Sequence, residues 1–539
     1  MSLELRQLPD DLRRRYLEDG SWSDESLGDL VDRSLRAATR ARIRIWSDRR
    51  PWTGTYSDVH DEALRLVAGL RERGIAPGSV VAFQIPNWRE AVVAFYGLAL
   101  GGYVLVPIVH IYGRREVEFI LRQCGAVAYL SAASFGHVDY CAIIDAIGSD
   151  LADLRFHVVV DGGSGSGSSD VERIGWDEFV SVAIDDSGPV SVDPDEVVVL
   201  AFTSGTTNVP KGVVHTHRTL LAELAHMAPW MGEPNLMGSP VTHATGMLGA
   251  VLAPVQLGQD IHLIDRWDPD RVLEIMLEAG IGAGTGAPVF LASLLYHPDF
   301  TDEHSDMIKQ IGLGGAPVPV SLAETAASRG ILLIRAYGST EHPSVTGCTF
   351  DQPVDKRHST DGRPLAGVEI RIVDEAKVDV EPGTAGEILS RGPDLCMGYT
   401  DTSLTAAMFD DEGWYQTGDM AVMDEEGFVT ITDRVADVII RGGENISAVE
   451  VEEAMMRLPG VAEVAVVAAP DERLGEHACA FVRLVDPETT LTLETVIGHL
   501  GDLGLTRQKW PEELRLVSEF SRTATGKIRK VDLRAQFDG

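Results

Sequence analysis

The sequence predicts an α/β fold: a large N-terminal domain of mostly parallel sheets flanked by helices, then a small, mobile α+β C-terminal domain. Three observations point there. The chain has 539 residues, well past the roughly 250–300 at which one hydrophobic core stops growing. Short apolar runs alternate with helix-length amphipathic stretches, as in βαβ units. Near residues 433–437 that alternation restarts on a smaller scale, which divides the chain into domains 1–433 and 434–539.

Taken in order, residues 79–85 (Ser-Val-Val-Ala-Phe-Gln-Ile) read as a buried strand, 88–100 as a helix and 103–108 as the next strand. The Gly/Ser-rich stretch 161–170 reads as a flexible loop. Residues 197–202 form an apolar strand, and 427–432 a strand near the end of the large domain. Beyond it, 448–458 read as a helix, with 461–469 and 478–484 as strands. No repeat of solenoid or propeller period is present.

Composition excludes several classes. Lys and Arg number 46 against 82 Asp and Glu, a net charge of −36, whereas nucleic-acid binding needs a basic footprint. The five cysteines (Cys124, Cys141, Cys348, Cys396, Cys479) are scattered without CxxC pairs. They read as free thiols of a reducing cytoplasm, neither a disulfide frame nor a zinc site. The first residues lack the basic start and apolar run of a signal peptide. The best membrane-span candidate, 91–108, is broken by Gly97, Gly101, Gly102 and Pro107. A cytoplasmic protein without a transmembrane segment is expected; oligomeric state is open, and a homodimer is compatible with the sequence.

The most informative stretch is Thr203-Ser-Gly-Thr-Thr-Asn-Val-Pro-Lys-Gly212, directly after the 197–202 strand. Small residues let backbone approach a charged ligand, and their hydroxyl and N–H groups donate to phosphate oxygens. Thr203, Ser204, Gly205, Thr206 and Thr207 are the candidate phosphate contacts, with Lys211 as a point charge at the loop's end. It is not a Walker A loop, which would need Gly at 210 and Ser or Thr at 212; the chain has Pro210 and Gly212. The run resembles the ATP-phosphate loop of the adenylate-forming superfamily of acyl-CoA synthetases, luciferases and peptide-synthetase adenylation domains, and is most similar to that of an acyl-CoA synthetase.

Further segments extend the resemblance in family order. Gly314-Gly-Ala-Pro317 and Arg335-Ala-Tyr-Gly-Ser-Thr-Glu341 are similar to superfamily motifs. The resemblance implies that Gly314, Gly315, Ala316, Pro317, Ala336, Tyr337 and Gly338 line an adenine pocket. It places Thr340 on the α-phosphate and Glu341 on Mg²⁺, a hard cation that takes oxygen ligands. Gly413-Trp-Tyr-Gln-Thr-Gly-Asp419 matches a ribose motif, with Asp419 accepting from both hydroxyls. The run that starts at Asp433-Arg434 resembles the domain junction; Arg434 would hold ribose or phosphates, and Gly442, Gly443 and Glu444 a coenzyme A channel. Lys527, in Arg522-Thr-Ala-Thr-Gly-Lys527, would bridge the carboxylate and the α-phosphate.

Four positions depart from the pattern: Asn208 where glycine is common, Ala436 at the hinge position that usually holds Asp or Lys, Ser521 in place of proline, and Thr242 where many relatives have an aromatic residue. In Ser239-Pro-Val-Thr-His-Ala-Thr-Gly246, similar to the motif that begins the acyl pocket, His243 would sit beside the carboxylate. The small residues 282–288 read either as pocket wall or as close strand packing. Neither Pro240 nor Thr242 can pair an α-amine, which favours an acid without one. The implied activity is ATP-dependent ligation of a carboxylic acid to coenzyme A through acyl-AMP. A ligase that loads a carrier protein and a non-catalytic nucleotide-binding protein are the rivals.

Overall fold

The computed structural model describes residues 4–537, except 163–164, 167–170, 185, 204–209, 233, 435–436, 442–443, 472–473 and 524–525. Its centre is an eight-stranded sheet. From the middle outward on one side lie Val80–Gln84, Val104–Pro107, Val197–Thr203 and Lys211–Thr216; on the other lie Ala128–Ser131, Phe156–Val159, Glu172–Gly175 and Gly165–Ser166. Pairings are parallel except those of the two outermost strands.

The helix Arg89–Leu100 is buried on nearly every face, which explains its near-continuous apolar sequence. Its one buried carboxylate, Glu90, is paired with Arg50 at 2.5 Å and Arg89 at 2.9 Å. Gly97 lets it approach the helix Tyr56–Glu72, since an added Cβ would lie 3.0 Å from the Ala63 carbonyl.

A second, mostly parallel sheet holds Gly282–Ala283, Asn235–Met237, Ile261–Ile264 and Arg42–Trp46, with Trp52–Thr55 antiparallel at its edge. A four-stranded sheet is led by the parallel pair Gln310–Gly314 and Leu332–Tyr337. An antiparallel sheet of Glu369–Val373, Ala385–Arg391, Tyr415–Met423 and Val429–Arg434 closes the large domain. The C-terminal sheet begins at Ile439–Arg441 and centres on the long pair Val461–Asp471 and Gly475–Leu484, covered by the helices Ala448–Met456 and Leu493–Asp502. At the junction Asp433 accepts from the Ala448 N–H at 2.6 Å, and Ser447 caps the first of these helices by accepting from the Glu450 N–H at 3.2 Å.

Two expectations need correcting. The stretch 161–170 is not wholly loop: Gly165–Ser166 pairs with Glu172 and Arg173, because backbone pairing can order a segment that lacks apolar side chains. Lys211 does not end a loop; it is the first residue of Lys211–Thr216, in register with Thr203. Among the described residues no helix is long and apolar enough to cross a membrane.

Candidate active site

A cavity of about 1080 Å³ opens where the sheets of the large domain meet the C-terminal domain. One wall is built from Asn87. Its amide donates to the Ser239 and Ile264 carbonyls, both at 3.0 Å, and accepts from the Val241 N–H at 2.8 Å. That fixes the turn ahead of His243, which caps a short helix by accepting from the Thr245 N–H on Nδ1 at 3.3 Å. The proton of the neutral ring is therefore on Nε2. Burial and then the Lys527 ammonium push His243 down to about 4, so it is neutral at physiological pH. Gly246 is obligatory here, because a Cβ would lie 2.0 Å from the Pro240 carbonyl oxygen. The helix continues as a π-helical turn, Met247–Leu252, of the kind found at functional sites.

The facing wall is the C-terminal end of the parallel pair Gln310–Gly314 and Leu332–Tyr337, where open α/β sheets bind ligands. Gly314, Gly315, Ala336, Tyr337, Gly338 and Thr340 line the cavity there. The chain turns back tightly after Gly338, and Ser339 N–H donates to the His342 carbonyl at 2.9 Å. A Cβ on Gly338 would lie 1.8 Å from the Pro343 carbonyl oxygen. Gly338→Ala is therefore expected to lower unfolding free energy by about 1–3 kcal/mol in a urea melt and to raise the KM for ATP. A variant with wild-type stability and KM would contradict the close approach.

Two acidic groups flank this wall. Asp419, 5% exposed, accepts from the Tyr337 hydroxyl at 2.6 Å and lies 3.1 Å from Arg434 Nε. Burial raises its pKa against the opposing pull of Arg434 and Tyr337. Glu341 is buried and accepts from the Tyr399 hydroxyl at 2.8 Å; Tyr415 lies behind, 3.3 Å from Tyr399. The preceding Thr340 carbonyl accepts from His215 Nε2 at 2.8 Å. The Glu341 carboxylate offers a hard oxygen of the kind that would fit Mg²⁺, an ion that takes one or two protein oxygens and completes its shell with water and phosphate.

Lys527 enters the cavity from the C-terminal domain. It is exposed to solvent along part of its length, yet the protein packed around it pushes its pKa down to about 8, helped by Arg434 and opposed by Asp419 and Glu341. The loop that carries it is held by Gly526 N–H to the Thr523 carbonyl at 2.9 Å and by Lys527 N–H to Thr523 Oγ1 at 3.1 Å. Gly526 has φ +83, and a Cβ there would meet Val289 at 2.8 Å, so the loop sits directly on the large domain.

The structure thus brings His243, Gly314, Gly315, Ala336, Tyr337, Gly338, Thr340 and Lys527 to one cavity, with Asp419 and Arg434 attached through Tyr337 and Asp419. Ala316 and Pro317 are not among the lining residues. Ser204, Gly205, Thr206, Thr207, Asn208, Ala436, Gly442 and Gly443 lie outside the described residues; Thr203 ends its strand and Glu444 begins one. The stretch 282–288 does both things expected of it. Gly282 packs against Asn235 and the Met307 backbone, while Thr285, Gly286 and Ala287 line the cavity. Asn87 and Tyr399 were not singled out from sequence, and no motif marks them; Tyr415 falls within the 413–419 motif but was given no role there.

An α/β scaffold with a nucleotide-type wall at strand ends and a lysine delivered by a second domain defines a two-domain, nucleotide-using enzyme. The chain belongs to the AMP-binding enzyme family: its model matches residues 35–400, and that of the AMP-binding enzyme C-terminal domain matches 450–527. The chain is 34% identical to the medium-chain fatty-acid–CoA ligase of Escherichia coli K12, over 97% of this chain and 92% of that one. It is 33% identical to the 3-[(3aS,4S,7aS)-7a-methyl-1,5-dioxo-octahydro-1H-inden-4-yl]propanoyl:CoA ligase of Rhodococcus jostii RHA1, over 89% and 93%. In fold it matches the anthranilate CoA ligase AuaEII in complex with anthranoyl-AMP, with a TM-score of 0.85 at 23% identity over 95% and 97% of the two chains.

Proposed function

We propose that the chain joins a carboxylic acid to coenzyme A with ATP, as an AMP-forming acid–thiol ligase. In the first half-reaction a carboxylate oxygen attacks the α-phosphorus and the bond to pyrophosphate breaks, giving acyl-AMP. In the second the thiol sulfur of coenzyme A attacks the acyl carbon and AMP leaves. The arrival of Lys527 in the cavity that His243 and Thr340 line carries this reading, because a cation there stabilises charge on the pentavalent phosphorus.

In this assignment the 203–207 loop and Lys211 hold the phosphates, Gly314, Gly315 and 336–338 the adenine, and Asp419 with Arg434 the ribose. Glu341 would hold Mg²⁺, which would supply countercharge for the polyphosphate, and Thr340 would contact the α-phosphate. Domain 1–433 binds ATP and acid, and 434–539 brings Lys527 and, through 442–444, the coenzyme A channel. Met227, Trp230, Leu248 and Phe290 line the cavity, which suits an apolar chain or ring. Five free cysteines support a cytoplasmic setting.

A pyrophosphate-release screen over straight-chain, branched, alicyclic, aromatic and sterol-derived acids, repeated with coenzyme A, tests this. Acyl-CoA and AMP are expected as products. Accumulating acyl-adenylate with coenzyme A unconsumed would favour loading of a carrier protein instead.

A further inference from the structure

In the cavity wall lies a buried cluster to which the ligase reaction gives no role. Glu223 and His226 come from one face of the helix His217–Met227, and Asp394 from the loop after Ala385–Arg391. They are 1%, 7% and 0% exposed. One donor atom from each lies within 4.8 Å of the others.

The hydrogen bonds around the cluster fix its chemistry. His226 Nε2 lies 2.8 Å from the Ala366 carbonyl oxygen, which can only accept. One ring proton is therefore on Nε2, and Nδ1 faces inward, a lone pair when the ring is neutral and a donor when it is protonated; burial opposes that protonation, and the Asp394 carboxylate more than offsets it. Nδ1 stands 3.5 Å from Asp394 Oδ1 and 3.9 Å from Glu223 Oε2. Neither Nδ1 nor Glu223 Oε2 has a hydrogen-bond partner among the described residues. An imidazole lone pair and two carboxylate oxygens pointing at one another repel unless a proton or a metal cation sits between them.

The spacing bears on which cation. Both separations are too long for good hydrogen bonds. The 3.5 Å one is near the roughly 3.4 Å edge of a tetrahedron around an ion with bonds of about 2.0–2.1 Å, and the 3.9 Å one would have to shorten for Glu223 to join it. The surroundings are also those of ligands held for a metal. A ligating histidine commonly donates its other N–H to a backbone carbonyl, and ligating carboxylates are themselves hydrogen-bonded. Here Asp394 Oδ1 accepts from His342 Nε2 at 3.2 Å, Asp394 Oδ2 from the Ser344 N–H at 3.3 Å, and Glu223 Oε1 from the Ser344 hydroxyl at 2.6 Å.

We propose that Glu223, His226 and Asp394 bind one divalent cation of the zinc class. One nitrogen and two oxygens suit zinc, and two carboxylates neutralise its charge. Glu223 and Ser344 line the cavity, so the fourth position is open to water or to an oxygen of the acyl substrate. The ion would tie the helix His217–Met227 to the loop that carries Asp394. Without it the cluster holds a proton instead, since burial and then the Asp394 carboxylate push Glu223 well above the ordinary range.

The test is metal content of the untagged, full-length enzyme, purified without chelator, then stripped and dialysed against zinc in the absence of ATP. About one zinc per chain is expected, with a cobalt-substituted sample giving the visible absorption of a tetrahedral site. Glu223→Gln and His226→Gln should each lower zinc content at least tenfold, while Glu341→Gln should leave it unchanged. Wild-type protein holding less than a tenth of an equivalent after zinc dialysis would overturn the proposal and leave the proton as occupant. So would zinc that is lost in Glu341→Gln but kept in both cluster variants.

Discussion

Lys527→Ala is expected to reduce acyl-AMP formation from acid and ATP by about 10²–10³-fold, the scale of losing one preorganised charge donor to a transition state. The effect should fall on one half-reaction. Supplied with preformed acyl-AMP, the variant should still make acyl-CoA, because adenylate leaves without help from an ammonium in the nucleotide site. ATP binding should survive, as Asp419, Tyr337 and the strand ends remain. Wild-type pyrophosphate release in this variant would remove Lys527 from the mechanism.

The same residue sets a pH dependence. Its pKa is lowered to about 8, first by burial and then by Arg434, against the pull of Asp419 and Glu341. A lysine is cationic below its pKa, so the productive form of the free enzyme is lost as pH rises through about 8. The profile of kcat/KM for adenylation, which reports groups of the free enzyme, should fall about tenfold per pH unit on that side. The residual activity of Lys527→Ala should lack that limb. His243, at about 4, is neutral throughout and contributes none.

Much of this site was legible in sequence where the chemistry needs adjacent residues. Ala336 to Glu341 must turn tightly behind Gly338 to place Tyr337, Thr340 and a carboxylate together, so the requirement is written in consecutive letters. Elsewhere it is not. Tyr399 reaches Glu341 across 58 positions, and Asn87 reaches Ser239 across 152. Each is an ordinary residue until the sheets bring it into contact. The Glu223, His226 and Asp394 cluster is hidden for the same reason: Glu223 and His226 alone read as part of an amphipathic helix. Lys211 shows a different failure, since a Gly/Ser/Thr-rich run signals a loop but not where strand pairing resumes. The strands that were read from sequence fall within a few residues of those in the structure, because period and apolar content decide them; the 475–484 strand began earlier than its apolar run, where cross-strand pairing with 461–471 extends it.

Asp419→Asn should raise the KM for ATP by about 10–100-fold, the loss of charge-assisted hydrogen bonds worth about 1.5–3 kcal/mol, with a smaller change in kcat. The carboxylate has two tasks. It holds Tyr337 at 2.6 Å and Arg434 at 3.1 Å, and its remaining lone pairs are the proposed acceptors for the ribose hydroxyls. An amide of the same shape keeps one acceptor oxygen but turns the other into a donor, which faces either Tyr337 or Arg434 wrongly. Lost binding alone would not separate a ribose contact from a loosened wall. The two are separated by 2′,3′-dideoxy-ATP, whose sugar offers no hydroxyls. If Asp419 reads the ribose, wild-type enzyme discriminates strongly against the dideoxy nucleotide, and Asp419→Asn discriminates much less, the difference being the coupling between side chain and sugar. If Asp419 only braces Tyr337 and Arg434, both nucleotides weaken by the same factor, and the ribose assignment fails while the bracing role stands.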